Sequence, residues 1–470
     1  MRKRFTWFAA VLALVSIGAV MACSTKYAAS TNGLVIVPSE AGGPTESGNL
    51  GGPAMETFSV DLANGGVAQI NNVNGPPIPG LPGQVLIDPT GSYAYVIVNQ
   101  NPAQSSSTTG IAAFQIASDG KLASPTTVGM NPSTTGTATC VTTVNGVTTT
   151  QQISVAVSAP VVPTALAIDS AGKVLFVADV ATSGQGTYTC NGTTVTGSVP
   201  VPGAVSVFTV NSGSLTEVAG SPFALPAENG GSVPSASALA VTHTTFPVQY
   251  APCSQNGAPT AEDLYVTDAV NYVVLNYSVN LSTGVLTLVP TPTSMGVATG
   301  TVPSGVAVDP CNRFVYVANS NPDPSVSAYT VCSVVSVNQT VNQNCSTVDY
   351  SLQPVTGSPY AISPGDDPGP IAVDAYGSFL YVVATGSNLI YVFKIGSSNG
   401  SLSPLTPATA ATGIGPNSIA IRGDDSFVFV ANNSSSTLSE YAVVPATGAL
   451  SPQNTIGIST FDTPSGVAVK

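Results

Sequence analysis

Charge is what this 470-residue chain has least of: only 7% of its residues are Asp, Glu, Lys or Arg. Ten basic side chains stand against 23 acidic ones, and there is a single His. Nucleic acid is thereby excluded as a partner, because neutralising phosphates takes clustered Lys and Arg. Trp7 is the only tryptophan, so no indole is available further along for stacking a sugar or a quinone. No Cys-x-x-Cys occurs, and with one His no zinc site is expected. No cofactor is expected either. A long helical period is missing as well, which leaves strands and turns to make the fold. The 46 Gly and 38 Pro suit many short strands joined tightly.

Residues 1–22 read as an export signal. Arg2-Lys3-Arg4 precedes an uncharged apolar stretch from Phe5 to Val20. Val20-Met21-Ala22-Cys23 resembles the bacterial lipobox, which makes Cys23 the expected lipidation site and residues 23–32 a tether. Ser24 after the cysteine resembles the outer-membrane sorting signal. The expected location is therefore the cell envelope, at the outer membrane or its periplasmic or extracellular face, with membrane contact through the lipid alone. An uncleaved anchor is the alternative. Removal of residues 1–22 leaves seven of the ten bases against all 23 acids, a formal charge of −16. Six further cysteines in an exported chain predict disulfides. Repeat position pairs Cys253 with Cys311 and Cys332 with Cys345, and places Cys140 and Cys190 in two neighbouring insertions.

Two phrases recur. The first, an aromatic, any residue and an aliphatic, begins at Phe58, Phe114, Phe208, Tyr277, Tyr329, Phe393 and Tyr441, with a Gly a few residues on in six copies. The second runs Pro-x-x-aliphatic-Ala-aliphatic-Asp, a turn, then an aromatic-aliphatic run ending Val-Ala-Asn, clearest over residues 303–319. Repetition in register decides architecture. Taking strands A to D from the inside of each blade outward, A strands start near Pro82, Pro163, Ala236, Pro303, Pro368, Pro416 and Pro464. The last has no B strand after it, whereas residues 34–37, 56–62 and 66–70 supply B, C and D without an A. The expectation is an all-β, seven-bladed propeller of four-stranded antiparallel blades over residues 33–470. The C-terminal strand completes the N-terminal blade, removing free sheet edges. Insertions are expected near 131–160, 180–203 and 332–350, the first two as hairpins around Asn145-Gly146 and Asn191-Gly192. Both fall on one rim, the top, where a Cys140–Cys190 bridge would staple them into a partial lid.

The A-strand phrase, the runs FVYVAN (314–319) and FVFVAN (427–432), and the GSPF and GSPY ends at 220–223 and 357–360 resemble the seven-bladed lactonase-type propellers. That superfamily holds bacterial 6-phosphogluconolactonase and the YVTN-repeat surface proteins. The resemblance implies the propeller fold and, as one possible activity, hydrolysis of a sugar lactone by His, Arg and acidic residues at the top of the channel. No catalytic motif here matches residue by residue, so no catalytic residue is carried over.

Strand register sends Lys121, Lys173, His243, Arg313 and Arg422 to the bottom rim. The top rim holds acids instead: Glu40, Glu46, Asp179, Glu228, Asp268, Asp323, Asp366, Asp367 and Asp462. A phosphorylated or carboxylate ligand calls for Arg or Lys and would meet a negative field there. Asp179, Asp268, Asn319 and Asn432 end B strands and are the candidate ligand-binding set; the plainer reading is that they cap strand ends. Asp88, Asp169, Asp309 and Asp374 recur at one position, as turn residues. Arg422-Gly423-Asp424 occupies that same turn. His243 reads as a surface histidine. The leading functional expectation is a monomeric binding or scaffold module for a polar small molecule or an envelope protein, not an enzyme, with the lactonase-type hydrolase as the alternative.

Overall fold

A computed structural model describes residues 32–40, 42–44, 50–61, 65–70, 76–101, 109–131, 135–145, 147–227, 232–243, 262–291, 294–332, 351–457 and 463–470. The expected signal and lipidated Cys23, the hairpin at 333–350, Cys253, Cys345, Glu46, Glu228 and Asp462 lie outside them. Among the described residues no helix is long and apolar enough to cross a membrane.

Seven antiparallel sheets each contain the four strands A to D in spatial order. The A strands of blades 2 to 7 are Leu81–Ile87, Pro163–Ile168, Ala236–Val241, Pro303–Val308, Pro368–Val373 and Pro416–Ile421. Blade 1 is made from both ends of the chain: Ala468–Val469 pairs with Asn32–Ser39, followed outward by Ala54–Asp61 and Val67–Gln69. Leu34 and Lys470 exchange backbone hydrogen bonds across this seam. Each A strand packs on the next, and Ala468–Val469 touches both the Pro416 and the Leu81 strands, so the ring closes.

Packing between blades explains the recurring phrases. All seven C-strand aromatics are buried, where rings fill the space between pleated sheets. The glycine that follows them is needed at a close approach. Gly400 and Gly448, both at positive φ, turn the chain of one blade against Phe314 and Phe379 of the blade before. A Cβ there would lie 2.4 Å and 2.3 Å from the rings. Tyr316 and Tyr381 donate their hydroxyls to the Gly400 and Gly448 carbonyls, at 3.1 and 3.0 Å. A buried phenol thus meets a turn carbonyl, satisfying both.

The GSPF and GSPY phrases also have a structural cause. In blades 3 and 5 strand D is split, with Ser214–Glu217 and Phe223–Ala224, or Leu352–Pro354 and Tyr360–Ala361, pairing with the two halves of one C strand. In the gap the hydroxyls of Ser221 and Ser358 accept the C-strand N–H groups of Val207 and Ala328. Serine oxygen replaces the missing ladder carbonyl.

The two inserted hairpins, Thr135–Val144 with Val147–Ser158 and Thr182–Cys190 with Thr193–Val201, form one four-stranded unit. It has its own small core of Ala138, Cys140, Val155, Val157, Ala159, Val199 and Val201. The expected Cys140–Cys190 disulfide joins them. Asn191 reinforces the joint, donating to the Val141 carbonyl and accepting from Thr142. Cys311 and Cys332 are also disulfide-bonded; the cysteines expected to pair with them are outside the described residues.

Candidate functional site at the mouth of the channel

Every blade presents the open edge of its A strand to the central axis, so the channel wall is built largely of backbone. Near the start of six A strands the pairing with strand B slips, between Pro82/Val85, Pro163/Ala165, Ala236/Ala238, Pro303/Gly305, Pro368/Ile371 and Pro416/Ser418. A bulge of this kind lifts a residue out of the ladder and re-aims its side chain. The lifted residues are Gly83 and Gln84, Thr164, Ser237, Ser304, Gly369 and Pro370, and Asn417, most of them small or polar.

These side chains link blade to blade around the mouth. Ser237 Oγ donates to the Pro303 carbonyl at 2.6 Å, and Ser304 Oγ to the Pro368 carbonyl at 2.7 Å. Asn417 Nδ2 donates to the Pro464 carbonyl at 2.9 Å. Ser465 Oγ donates to the Gly83 carbonyl at 3.1 Å. In blade 6, whose lifted residues Gly369 and Pro370 have no side-chain donor, Thr385 reaches the Pro416 carbonyl instead, at 2.9 Å. Gln84 Oε1 accepts the Leu166 N–H at 2.6 Å. The mouth is therefore a ring of hydroxyls, amides and carbonyls without formal charge. The sequence carried the signal, since the second residue of the A-strand phrase is Thr, Ser, Ser, Gly, Asn and Ser in successive blades, but turns alone do not reveal a bulge.

The four B-strand residues expected to face a ligand are buried, and they are engaged by their own surroundings. Asp268 accepts from the N–H groups of Ser235, Val270 and Asn271 and from the Asn271 amide. Asn319 Nδ2 donates to Ser325 and Ser327, while its Oδ1 accepts the Gly300 N–H. Asn432 donates to Thr437 and Ser439 and accepts from Thr412. These three cap strand ends. Asp179 differs: Oδ2 accepts the Ser206 hydroxyl at 2.7 Å, and Oδ1 is buried without a partner. Burial, with Glu217 nearby, pushes its carboxyl up to about 7.

Among the described acids of this rim, Glu40 and Asp323 are exposed and Asp366 and Asp367 half-buried. Tyr391 donates its hydroxyl to Asp366 Oδ2 and lies 3.1 Å from Ser363 Oγ. Among the described residues, no Lys, Arg or His occurs on the connections that form the top rim, and no group of three His, Cys, Asp or Glu could hold a metal ion.

Cations gather at the opposite end. Asp309 accepts from the Arg313 and Phe314 N–H groups and pairs with the Arg313 guanidinium, which lies over the Phe314 ring. Asp88, Asp169 and Asp374 hold their A-to-B turns in the same way. Arg422 contacts Asp424 within the equivalent turn, and Lys470 Nζ donates to the Gly91 carbonyl. His243 is a correction. It is half-buried, not a free surface group; its N–H donates to Asn312 Oδ1 and its carbonyl accepts from Asn312 Nδ2. Burial lowers its pKa, as expected when an imidazolium is desolvated.

Comparison with known proteins agrees with this geometry. Residues 333–470 match the sequence family described as Lactonase, 7-bladed beta-propeller. A solved Bacteroides uniformis protein, provisionally named a 6-phosphogluconolactonase, superposes with a TM-score of 0.60 at 14% identity, covering 94% of this chain and 100% of the other. The fold is that of a seven-bladed propeller. The Bacteroides fragilis counterpart, of the same provisional name, has a TM-score of 0.58 at 16% identity over 94% and 99% of the two chains. The periplasmic gluconolactonase of Pseudomonas aeruginosa has 0.56 at 17% over 93% and 98%. No curated protein sequence matches. At these identities the likeness carries the propeller fold and not a substrate.

Proposed function

We propose that this propeller is a lactonase-type hydrolase acting on an uncharged sugar lactone at the cell envelope. The observation that carries the proposal is the mouth itself: small hydroxyls, amides and carbonyls, with carboxylates on the surrounding connections and every described Lys and Arg away from that rim. A neutral, hydroxyl-rich lactone matches such groups by hydrogen bonding, whereas a phosphate or carboxylate needs a cationic fork. Opening a lactone requires a base to activate water, and Glu40, Asp323, Asp366 and Asp367 are the described carboxylates of this rim with access to solvent. The neighbour described as a periplasmic gluconolactonase shares this fold and makes an unphosphorylated lactone a natural first substrate to test. Lipidation of Cys23 would hold the enzyme at the membrane.

The test is acid release from a panel of aldonolactones, measured above the spontaneous rate, with Asp366→Asn and Asp367→Asn alongside the parent. Turnover lost in one of these carboxamide variants supports the proposal. Absence of turnover on every lactone sinks it.

A binding or scaffold module is the second reading, favoured by the stapled hairpin unit, which stands apart with a core of its own. Recovery of one defined envelope protein by the full chain, lost when residues 135–158 and 182–201 are replaced by short turns, would support it.

A further inference from the structure

The residue that ends strand B is served in the same manner in three blades. Asp268 Oδ1 accepts the N–H of Ser235, Asn319 Oδ1 the N–H of Gly300, and Asn432 Oδ1 the hydroxyl of Thr412. Each donor sits on the connection entering that blade, just ahead of its A strand. Blade 3 breaks the pattern. Asp179 is only 6% exposed, and its Oδ1 has no partner.

The reason lies in what enters blade 3. Its incoming connection is the return strand of the first hairpin, Val147–Ser158, continued by Ala159-Pro160-Val161-Val162. Pro160 stands three residues before Pro163, the offset at which Gly300 precedes Pro303, and proline has no N–H. The second hairpin leaves three residues after Asp179, at Thr182. A single buried carboxyl thus lies between two roots of the disulfide-stapled unit. The remaining root is tied to the same place: Asn131, ahead of the first hairpin, donates to Glu217, which also accepts from Ser221 at 2.9 Å. Glu217, on strand D, is the charged group that faces Asp179.

We propose that Asp179 is a proton-controlled latch for the stapled hairpins. As the neutral acid it tolerates an unpaired oxygen, and the unit sits as described above. As the carboxylate it has a buried oxygen that costs free energy until a donor arrives. The N–H groups of Val161 and Val162, in the root of the first hairpin, are the donors that would restore the arrangement of the other blades. Supplying one shifts that root, and with it the hairpins on the top rim. Burial and the Glu217 charge put the exchange near neutral pH, at about 7. This inference is independent of the ligand the channel takes, and its readout is conformational.

The test uses the full chain carrying Trp7→Phe and Tyr188→Trp, which leaves one indole packed against the core of the hairpin unit. Its fluorescence is followed from about pH 5 to about pH 9. We expect a single transition near neutrality that is lost in Asp179→Asn, the side chain that blades 5 and 7 use. Glu217→Gln should move the midpoint to lower pH by removing the repulsion. A flat profile in the parent, or a transition that persists in Asp179→Asn, overturns the latch. If the Asn variant does not fold, an unmoved midpoint in Glu217→Gln overturns it equally.

Discussion

At the scale of single residues, this protein places polar groups inside and pairs many of them locally. Asn319 is the clearest case, fully buried with both ends of its amide engaged. Asn319→Ala leaves the Gly300 N–H and two serine hydroxyls without it and should cost about 1–3 kcal/mol in chemical denaturation. Asp263 tests the opposite situation. Burial and the charge of Glu262 raise its carboxyl from 3.8 to about 7. The folded chain therefore keeps protons that the unfolded chain releases, and stability falls as pH rises from about 4 to about 7, then levels off. Thermal unfolding followed across that window should show the slope, and Asp263→Asn should reduce it. The sequence displayed these residues without their surroundings. The Asp set at 88, 169, 309 and 374 was legible because turn chemistry is local, whereas burial of His243 and the unpaired oxygen of Asp179 depend on neighbouring connections.

Elements carry the next level of the argument, because each blade is specified by how its turns fit the preceding blade. Gly400 lies at positive φ against Phe314. Gly400→Ala forces a Cβ into that ring and into an unfavourable backbone region, and should destabilise by about 1–3 kcal/mol, read as a lowered denaturation midpoint. Strand order, the turn glycines and the Cys140–Cys190 pairing follow from repeat register, which the sequence states openly. The bulges at Thr164, Ser237, Ser304 and Asn417 do not, because one extra residue in a six-residue strand leaves no mark on an alternating pattern. The serine of the GSP phrase was visible as a repeat while its task, accepting a C-strand N–H, was not. The candidate site rests on those bulges, so the mouth was less legible than the blades around it.

For the whole molecule, the ring depends on a seam between chain ends. Ala468–Val469 pairs with Asn32–Ser39, and the Leu34–Lys470 hydrogen bonds close it. Deleting residues 464–470 exposes the edge of Asn32–Ser39 and removes the innermost strand that bridges the first and last blades. Size-exclusion chromatography should then show aggregation, and thermal unfolding should lose its single sharp transition. Charge is also organised at this scale, with described cations at the bottom and an uncharged mouth within an acidic rim at the top. The most direct measurement is hydrolysis of gluconolactone and of its 6-phosphate by the same purified protein, each corrected for spontaneous opening. The account predicts that the neutral lactone is turned over and the phosphorylated one is not. Preference for the phosphorylated lactone would contradict it.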